Sequence, residues 1–417
     1  MPELFSHLGE PFDTILEAAR DLASRNLSPV YVIGGPVRDR MLGRSFSDLD
    51  LTVADDAQPF AAALAARLSG QLTSYPRFLT HKLELSDGIA IDITTTRSER
   101  YTHPGALPEV EADDLSHDLG RRDFTINAIA VELTAGKIHD PWGGERDLDA
   151  GIIRILHDAS FFDDPTRILR ALRLAARFNF ALDRHTEALL IAAISSNALT
   201  SLSRERVWRE VFLAFRESGV AALLDVFTRF GALKSFLSSA ASPSRPELDR
   251  LETASRSWPD ADSEILFLSF LIDNPEQENL TGSGLSDRRR RNLASIRPTA
   301  MQLAAQLNQA SPGRESLSIL DRAAVETVAM VEALFPALVS ALQPLRSLQN
   351  VKLDFDVESL GLQPGPHLGR ALRETRYALA LGQIAQSASA SFARNLGLQY
   401  LEERSSGAQQ DNPNRVS

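Results

Sequence analysis

Val30-Tyr31-Val32-Ile33-Gly34-Gly35-Pro36-Val37-Arg38-Asp39, followed at short range by Asp48-Leu49-Asp50-Leu51-Thr52-Val53, decides how this chain is read. The first run is β-favouring and ends in two glycines, after which Val37 to Leu42 reads as a helix start. Glycine lets backbone approach a ligand closely, and a helix start offers unpaired N–H groups to an anion. Arg38 adds a cation beside that turn. In the second run Asp48 and Asp50, two residues apart on a strand, project from one face. Adjacent like charges are unfavourable unless a cation lies between them, and hard carboxylate oxygens suit Mg2+. Each motif also has a plain reading, as a strand–helix turn and as a solvated acidic edge. The Asp-x-Asp pattern recurs at Asp147/Asp149, Asp260/Asp262 and Asp354/Asp356, so alone it is weak. Only the copy at Asp48/Asp50 follows a Gly-Gly turn and opens a β run.

Working outward, Phe12 to Arg20 and Gln58 to Leu68 read as helices. Lys82 to Leu85 and Ile89 to Thr94 flank the turn signal Ser86-Asp87-Gly88 and read as a hairpin. Asp92 sits between two isoleucines of that hairpin, a costly place for a charge without a partner, and is a third carboxylate for a two-metal cluster. Residues 97–117 read as a long loop, and Thr125 to Leu133 as helix or strand. From about residue 160 the pattern is almost wholly helical, so an α/β domain precedes a long all-α portion. Pro/Ser-rich stretches at 237–246 and 273–284 are expected breaks, and the polar stretch from Ser405 to Ser417 is expected to lack order.

Composition narrows the function. The chain has 417 residues, 43% hydrophobic and 24% charged, which excludes a mostly disordered protein. It has no cysteine, which removes disulfides, thiolate catalysis and cysteine-bound zinc and points to a reducing, cytoplasmic setting. No apolar run approaches a membrane span, and the N-terminus does not read as a secretory signal. A net charge of −11 argues against a protein coated in nucleic acid along its length, but not against a local basic track.

Two further motifs carry such a track. Asp118-Leu119-Gly120-Arg121-Arg122-Asp123-Phe124-Thr125-Ile126-Asn127 combines paired arginines with an acid and an amide, groups that fork onto phosphate or hold a ribose. A surface salt-bridge network is the plain alternative. Asp163-Asp164-Pro165-Thr166-Arg167 opens a helix on which Arg167, Arg170, Arg173 and Arg177 cluster on one side, opposite Ile168, Leu172 and Ala175. Phe161 to Arg216 holds nine arginines against six acids, net positive within an acidic chain. The run Arg288–Arg291 behind the N-cap candidate Ser286 reads equally as an RNA contact or a solvated helix end. The His-Asp pairs at 117–118, 139–140 and 157–158 read as incidental.

Together GGPVRDRMLG…DLDLTV, RRDFTINA, DPWGGERDLDAGIIRIL and DDPTRILRALRLAARF resemble, in order and spacing, the signature blocks of the class II tRNA nucleotidyltransferase and bacterial poly(A) polymerase family. The likeness is dense over residues 30–215 and thinner at LGLQPGPHLGRALRETRYALALG near the C-terminus. It implies an α/β catalytic head, a nucleotidyltransferase palm with a mixed sheet and helices, followed by an all-α neck, body and tail. The implied boundaries are 1–145 for the head, 146–215 for the neck, 216–300 for the body, 301–404 for a tRNA-binding tail and 405–417 for a disordered end. It implies Asp48 and Asp50 as ligands of catalytic Mg2+, with Asp92 beside them. Gly34, Gly35 and Arg38 would meet the triphosphate, and Arg122, Asp123 and Asn127 the ribose and phosphate region. Asp164 and Arg167 would read the base, with Arg170 and Arg173 along the phosphate path. Two departures, Asp163 for a common Glu and His139 ahead of Asp140-Pro141, touch no catalytic atom.

The expected activity is addition of CCA, from CTP and ATP, to the 3′ end of tRNA without a template. Specialists adding only A or only CC, a poly(A) polymerase and a catalytically silent RNA-binding protein are the alternatives. The intact carboxylate set speaks against the silent reading. The acidic C-terminal end speaks against a polymerase that tracks long RNA. Oligomeric state is not legible.

Overall fold

In the computed structural model, residues 2–25, 28–217 and 219–410 are described. They form two compact units, one of the described residues up to 240 with 278–284, the other of residues 241–277 with those described from 285 onward.

The first unit is built on a sheet whose alternation sorts its two faces. Its elements run α1 (Phe12–Arg25), β1 (Val30–Ile33), α2 (Gly35–Met41), β2 (Leu49–Val53), α3 (Ala57–Leu68), β3 (Gln71–Tyr75), β4 (Thr80–Glu84) and β5 (Ala90–Thr95). Then come β6 (Arg97–Arg100), β7 (Glu109–Ala112), α4 (Leu115–Gly120), β8 (Ala130–Glu132) and β9 (Ile138–His139). Seven strands form one mixed sheet in the order β3-β4-β5-β2-β1-β8-β9, with β2 and β5 parallel and every other pair antiparallel. Leu49, Leu51, Ile91, Ile93 and Leu83 are buried on one face, where α3 packs against β2, β4 and β5 and α1 packs against α3. Asp50, Asp92 and Lys82 fall on the other face, because they alternate with those residues.

The unit continues with α5 (Gly144–Ala150), β10 (Ile152–Ile153), α6 (Ser160–Asp163), α7 (Thr166–Phe178), β11 (Ala181–Leu182), α8 (Arg184–Ser195), α9 (Arg204–Phe215) and α10 (Val220–Arg229). Ile168, Leu172 and Ala175 are buried on α7, as the sequence periodicity required. A short parallel pair, β10 with β11, interrupts the helical run.

The second unit is helical: α11 (Arg245–Ser257), α12 (Ser263–Leu271), α13 (Asp287–Gln309), α14 (Arg314–Leu320), α15 (Val325–Leu334), α16 (Val339–Asn350), α17 (Pro366–Ala380) and α18 (Ser389–Gln410). Ser286 does cap α13, and Arg289 of the basic run pairs with Asp262 and Glu264 at 2.7 and 2.8 Å. Helix α18 extends to Gln410; residues 411–417, the rest of the stretch expected to lack order, lie outside the described residues. Among the described residues no single helix is long and apolar enough to cross a membrane.

The expectation of a long loop over 97–117 is corrected. Arg97–Arg100 and Glu109–Ala112 pair antiparallel as a separate two-stranded ribbon, and α4 begins at Leu115. Charged residues alternating on a ribbon carry no apolar period, so the strands were invisible to hydrophobic patterning.

Candidate active site

Parallel pairing of β2 with β5 sets Asp50 directly beside Asp92, and antiparallel pairing of β5 with β4 sets Lys82 on the far side of Asp92. Asp48 lies just ahead of β2, two residues before Asp50. Burial pushes the Asp50 carboxyl up to about 6; Asp92 and Asp48 add to the rise, while Arg122 and Arg170 oppose it. The Asp92 carboxyl is also raised, by the surrounding protein first and by Asp48, against Lys82. Carboxylates whose charge is unfavourable, with Asp50 half-buried and Asp48 and Asp92 open to an incoming ion, form a donor set that fits a hard divalent cation. The fit has a limit: ligand oxygens of Asp48, Asp50 and Asp92 do not all come within 4.8 Å of one another, whereas carboxylate oxygens of Asp113 and Asp114 and an imidazole nitrogen of His117 do. That second trio has a local cause, since Asp114 caps α4 by accepting from the His117 N–H. The neighbouring Asp118 is fully buried and pairs instead with Arg121 and Arg122, at 2.8 and 3.3 Å.

Gly34 adopts φ 72° at the head of α2, a conformation that favours glycine. A Cβ there would also lie 2.7 Å from Arg122 Nη1 and 3.7 Å from Asp50 Oδ2. The turn therefore needs glycine for both conformation and space, and it brings Arg122 next to the carboxylates.

A chain of hydrogen bonds joins most of the other expected residues. Buried Arg38 donates from Nη1 to Asn127 Oδ1 at 2.6 Å and from Nε to Asp39 at 2.9 Å. Asn127 Nδ2 donates to Asp123 Oδ1 at 2.8 Å. Asp123 Oδ2 accepts twice from Arg170, at 2.9 and 2.7 Å, and Oδ1 also accepts from the Phe124 N–H. Burial would raise the Asp123 carboxyl, yet Arg170 and Asn127 overcome it and hold it well below the usual carboxylate range. Arg170 is raised in turn, chiefly by Asp123. With both oxygens of Asp123 already engaged, its first task is to hold α7 against the 123–127 segment. Arg173 pairs with Glu217 at 2.8 Å, and Arg177 lies 3.4 Å from Asp39. The arginine stripe is thus neutralised by acids from other elements, which spacing along one helix could not reveal.

Asp164 sits between α6 and α7. Its Oδ1 accepts from the Thr166 N–H at 3.1 Å, from Thr166 Oγ1 at 2.6 Å and from Arg206 at 2.8 Å, whereas Oδ2 takes none of these bonds. Arg167 is buried and donates to Ser160 Oγ at 2.7 Å and to the Arg121 carbonyl at 2.6 Å. Asp164 and Arg167 line a cavity of about 380 Å³ that Asp50, Asp92, Arg122 and Arg170 also line. Two neighbouring cavities share Asp50, one of about 220 Å³ with Gly35, Arg38 and Arg173, the other of about 350 Å³ with Gly35 and Asp48. The first cavity is within the size range of small-molecule sites. The remaining Asp-x-Asp copies have structural tasks. Buried Asp147 accepts from Thr125 and Arg154, Asp262 caps α12, and Asp356 caps a short turn.

Sequence reasoning missed the wall built by the ribbon. Tyr101 donates to Glu99 at 2.9 Å, Arg121 bridges Glu99 and Asp118 at 2.6 and 2.8 Å, and Arg97 donates to Thr80 at 2.7 Å and to the Phe78 carbonyl. Burial pushes Arg97 down to about 10. Glu210 of α9 faces Arg170 and Arg173 at 3.8 and 3.6 Å. The period-two placement of Arg97, Glu99 and Tyr101 was the available signal, since alternate strand residues share a face.

A mixed sheet with carboxylates at adjacent strand positions, beside a Gly-Gly turn, defines a nucleotidyltransferase-like head, and residues 30–154 match the poly(A) polymerase head domain. Over 371 residues the chain is 31% identical to the A-adding tRNA nucleotidyltransferase of Halalkalibacterium halodurans, the match covering 84% of each. The chain belongs to the tRNA nucleotidyltransferase family. It is 41% identical over 214 residues to the A-adding tRNA nucleotidyltransferase of Geobacter sulfurreducens, a match that spans 51% of this chain but 24% of that protein. A solved CCA-adding enzyme in an apo form, 27% identical, superposes with a TM-score of 0.70 over 93% of this chain and 96% of the other.

Proposed function

We propose that the chain is a template-independent nucleotidyltransferase that completes the CCA end of tRNA from CTP and ATP. The observation that carries this reading is one cavity holding both the raised carboxylates Asp50 and Asp92 and the Asp164/Arg167 pair. Asp48 and Asp50 would hold Mg2+, which supplies charge neutralisation at the transferring phosphoryl group. The tRNA 3′-oxygen attacks the α-phosphorus of the bound nucleotide and the bond to pyrophosphate breaks. Asp92, next to Asp50, would accept the hydroxyl proton. Arg122, with an unpartnered buried Nε, would face the triphosphate on the side of the site where Gly34 and Gly35 keep the backbone bare, with Arg170 and Arg173 held along that wall by Asp123 and Glu217. Arg38, Asp123 and Asn127 keep that wall in register through their mutual hydrogen bonds.

Base choice falls to Asp164 and Arg167. Asp accepts and Arg donates. Cytosine and adenine each present an amino donor beside an unprotonated ring nitrogen, whereas uracil and guanine present the reverse. One fixed pair therefore suits C and A.

A second reading, addition of A alone, is favoured by the relative from H. halodurans, which the chain matches over most of its length. The test is extension of tRNAs ending at the discriminator base, at C and at CC, with CTP, ATP or both. Three additions to the shortest substrate support full CCA synthesis, and a single A on the CC-ending tRNA alone assigns the specialist.

A further inference from the structure

Arg204, Val207 and Trp208 share one side of α9, and Arg206 and Glu210 the opposite side, since residues three and four apart align on a helix. The second side belongs to the active site: Arg206 reaches Asp164 and Glu210 lines the cavity there. The first side borders a separate cavity of about 310 Å³ within the first unit, which shares no lining residue with the three cavities around Asp50. Its floor is apolar and buried, made by Leu202, Val207, Trp208 and Leu237. Trp208 is fixed there by stacking on Phe212 and by an edge contact with Phe236, both with ring centres 5.8 Å apart. The rim is cationic. Lys234 is exposed and makes no hydrogen bond or ion pair among the described residues. Arg204 donates to the Asn279 carbonyl and lies 4.0 Å from one oxygen of Glu278, whose other oxygen accepts from Ser238 and Ser239. The Arg204 Nε is buried without a partner. Glu278 offsets one of the two cations, which leaves the rim one positive charge.

We infer that this cavity is a binding site for a small apolar monoanion, an aromatic or branched aliphatic body carrying one carboxylate-like head. Apolar surface left open to water is unfavourable in proportion to its area, and an apolar body recovers that free energy by covering the floor. The exposed Lys234 ammonium offers three donors and a charge to the head, with no internal partner to displace. Pockets of this kind, largely apolar with a few convergent polar groups, are the usual form of small-molecule sites, and the volume lies at the lower end of their range. A nucleoside triphosphate fits poorly. Its several negative charges would meet one net positive charge, and its polar base edge would meet an apolar floor. Because α9 separates the two cavities, an occupant here leaves the nucleotide site open.

The test titrates the full chain with anilinonaphthalene sulfonate, an aromatic monoanion, and with the uncharged phenylnaphthylamine, and follows their fluorescence. The sulfonate is expected to bind at a single site per chain and to stay bound in saturating CTP or ATP. Lys234→Glu should weaken the sulfonate by roughly three- to tenfold and leave the uncharged probe unmoved. Ser235→Trp, at the half-buried rim, puts bulk into the cavity and should remove both probes. Both variants should keep the parent's Tm, its tRNA affinity and its kcat. Unchanged sulfonate affinity in folded Lys234→Glu would overturn the inference, as would both probes still binding to folded Ser235→Trp. Displacement of the sulfonate by CTP or ATP would overturn it by placing the probe in the nucleotide site. Weaker tRNA binding in Lys234→Glu would do the same by making the lysine an RNA contact.

Discussion

Asp50→Asn should make the metal-free protein more stable while removing its activity. The Asp50 carboxyl ionises near 3.8 in an unfolded chain and is pushed up to about 6 in the folded one. Between those values the folded chain binds more protons than the unfolded chain, so stability falls as pH rises through the window and stays reduced above it. Below the unfolded value the cost is absent. The gap corresponds to about 3 kcal/mol at pH 8. Asparagine keeps the shape and drops the charge, so it should recover about 2–3 kcal/mol after allowance for solvent screening. For a unit of this size that is roughly 5–10 °C in Tm. Calorimetry of parent and variant in EDTA, at pH 8 and again at pH 4, isolates the Asp50 contribution from other titrating acids. The difference should be large at pH 8 and fall to about a fifth of that at pH 4. Mg2+ should raise the parent's Tm at pH 8 and barely move the variant's. A variant no more stable than the parent at pH 8 would refute the view that repulsion and burial at Asp50 are left for a cation to relieve.

Asp48→Ala should abolish nucleotide transfer but leave tRNA binding intact, while Asp149→Ala and Asp356→Ala remain active; turnover in the Asp48 variant at ordinary Mg2+ would remove that residue from catalysis. Asp164→Ala or Arg167→Ala should narrow the preference for CTP over UTP and ATP over GTP by about ten- to a hundredfold, and unchanged kcat/KM ratios in a folded variant would reject base reading. Asp123→Asn breaks a buried ion pair and should cost about 3–5 kcal/mol by chemical denaturation. Because that carboxyl is depressed in the folded state, its contribution is present above the unfolded value and lost as pH falls, so parent and variant should converge in acid. Gly34→Ala should cost activity even where the fold survives, since its Cβ meets Arg122.

The parts legible in the sequence were those with a local period or a local turn. Alternation in β2 and β5 separated buried Leu51 and Ile93 from Asp50 and Asp92, and the apolar stripe of α7 gave its buried face. Pairing across the sheet was not legible: nothing in the sequence places Asp92 opposite Asp50 rather than one residue away. Long-range neutralisation was hidden for the same reason. Arg170 finds Asp123, 47 positions away, and Arg173 finds Glu217, 44 positions away. Asp123 looked free to meet a ribose, and only the fold reveals how fully its oxygens are occupied. The ribbon bearing Glu99 escaped because its inward side chains, Arg97 and Glu99, are charged and impose no apolar pattern.

The most direct measurement is a single-turnover extension assay. A tRNA ending at the discriminator base is incubated with the full chain, Mg2+, CTP and ATP, and the product is sequenced at nucleotide resolution. The expected product carries C, C and A in that order and grows no further, with UTP and GTP excluded from it. Failure to extend that tRNA or its CC-ending form, or a long adenosine tail added to unstructured RNA as readily as to tRNA, would contradict a site built to finish the tRNA 3′ end.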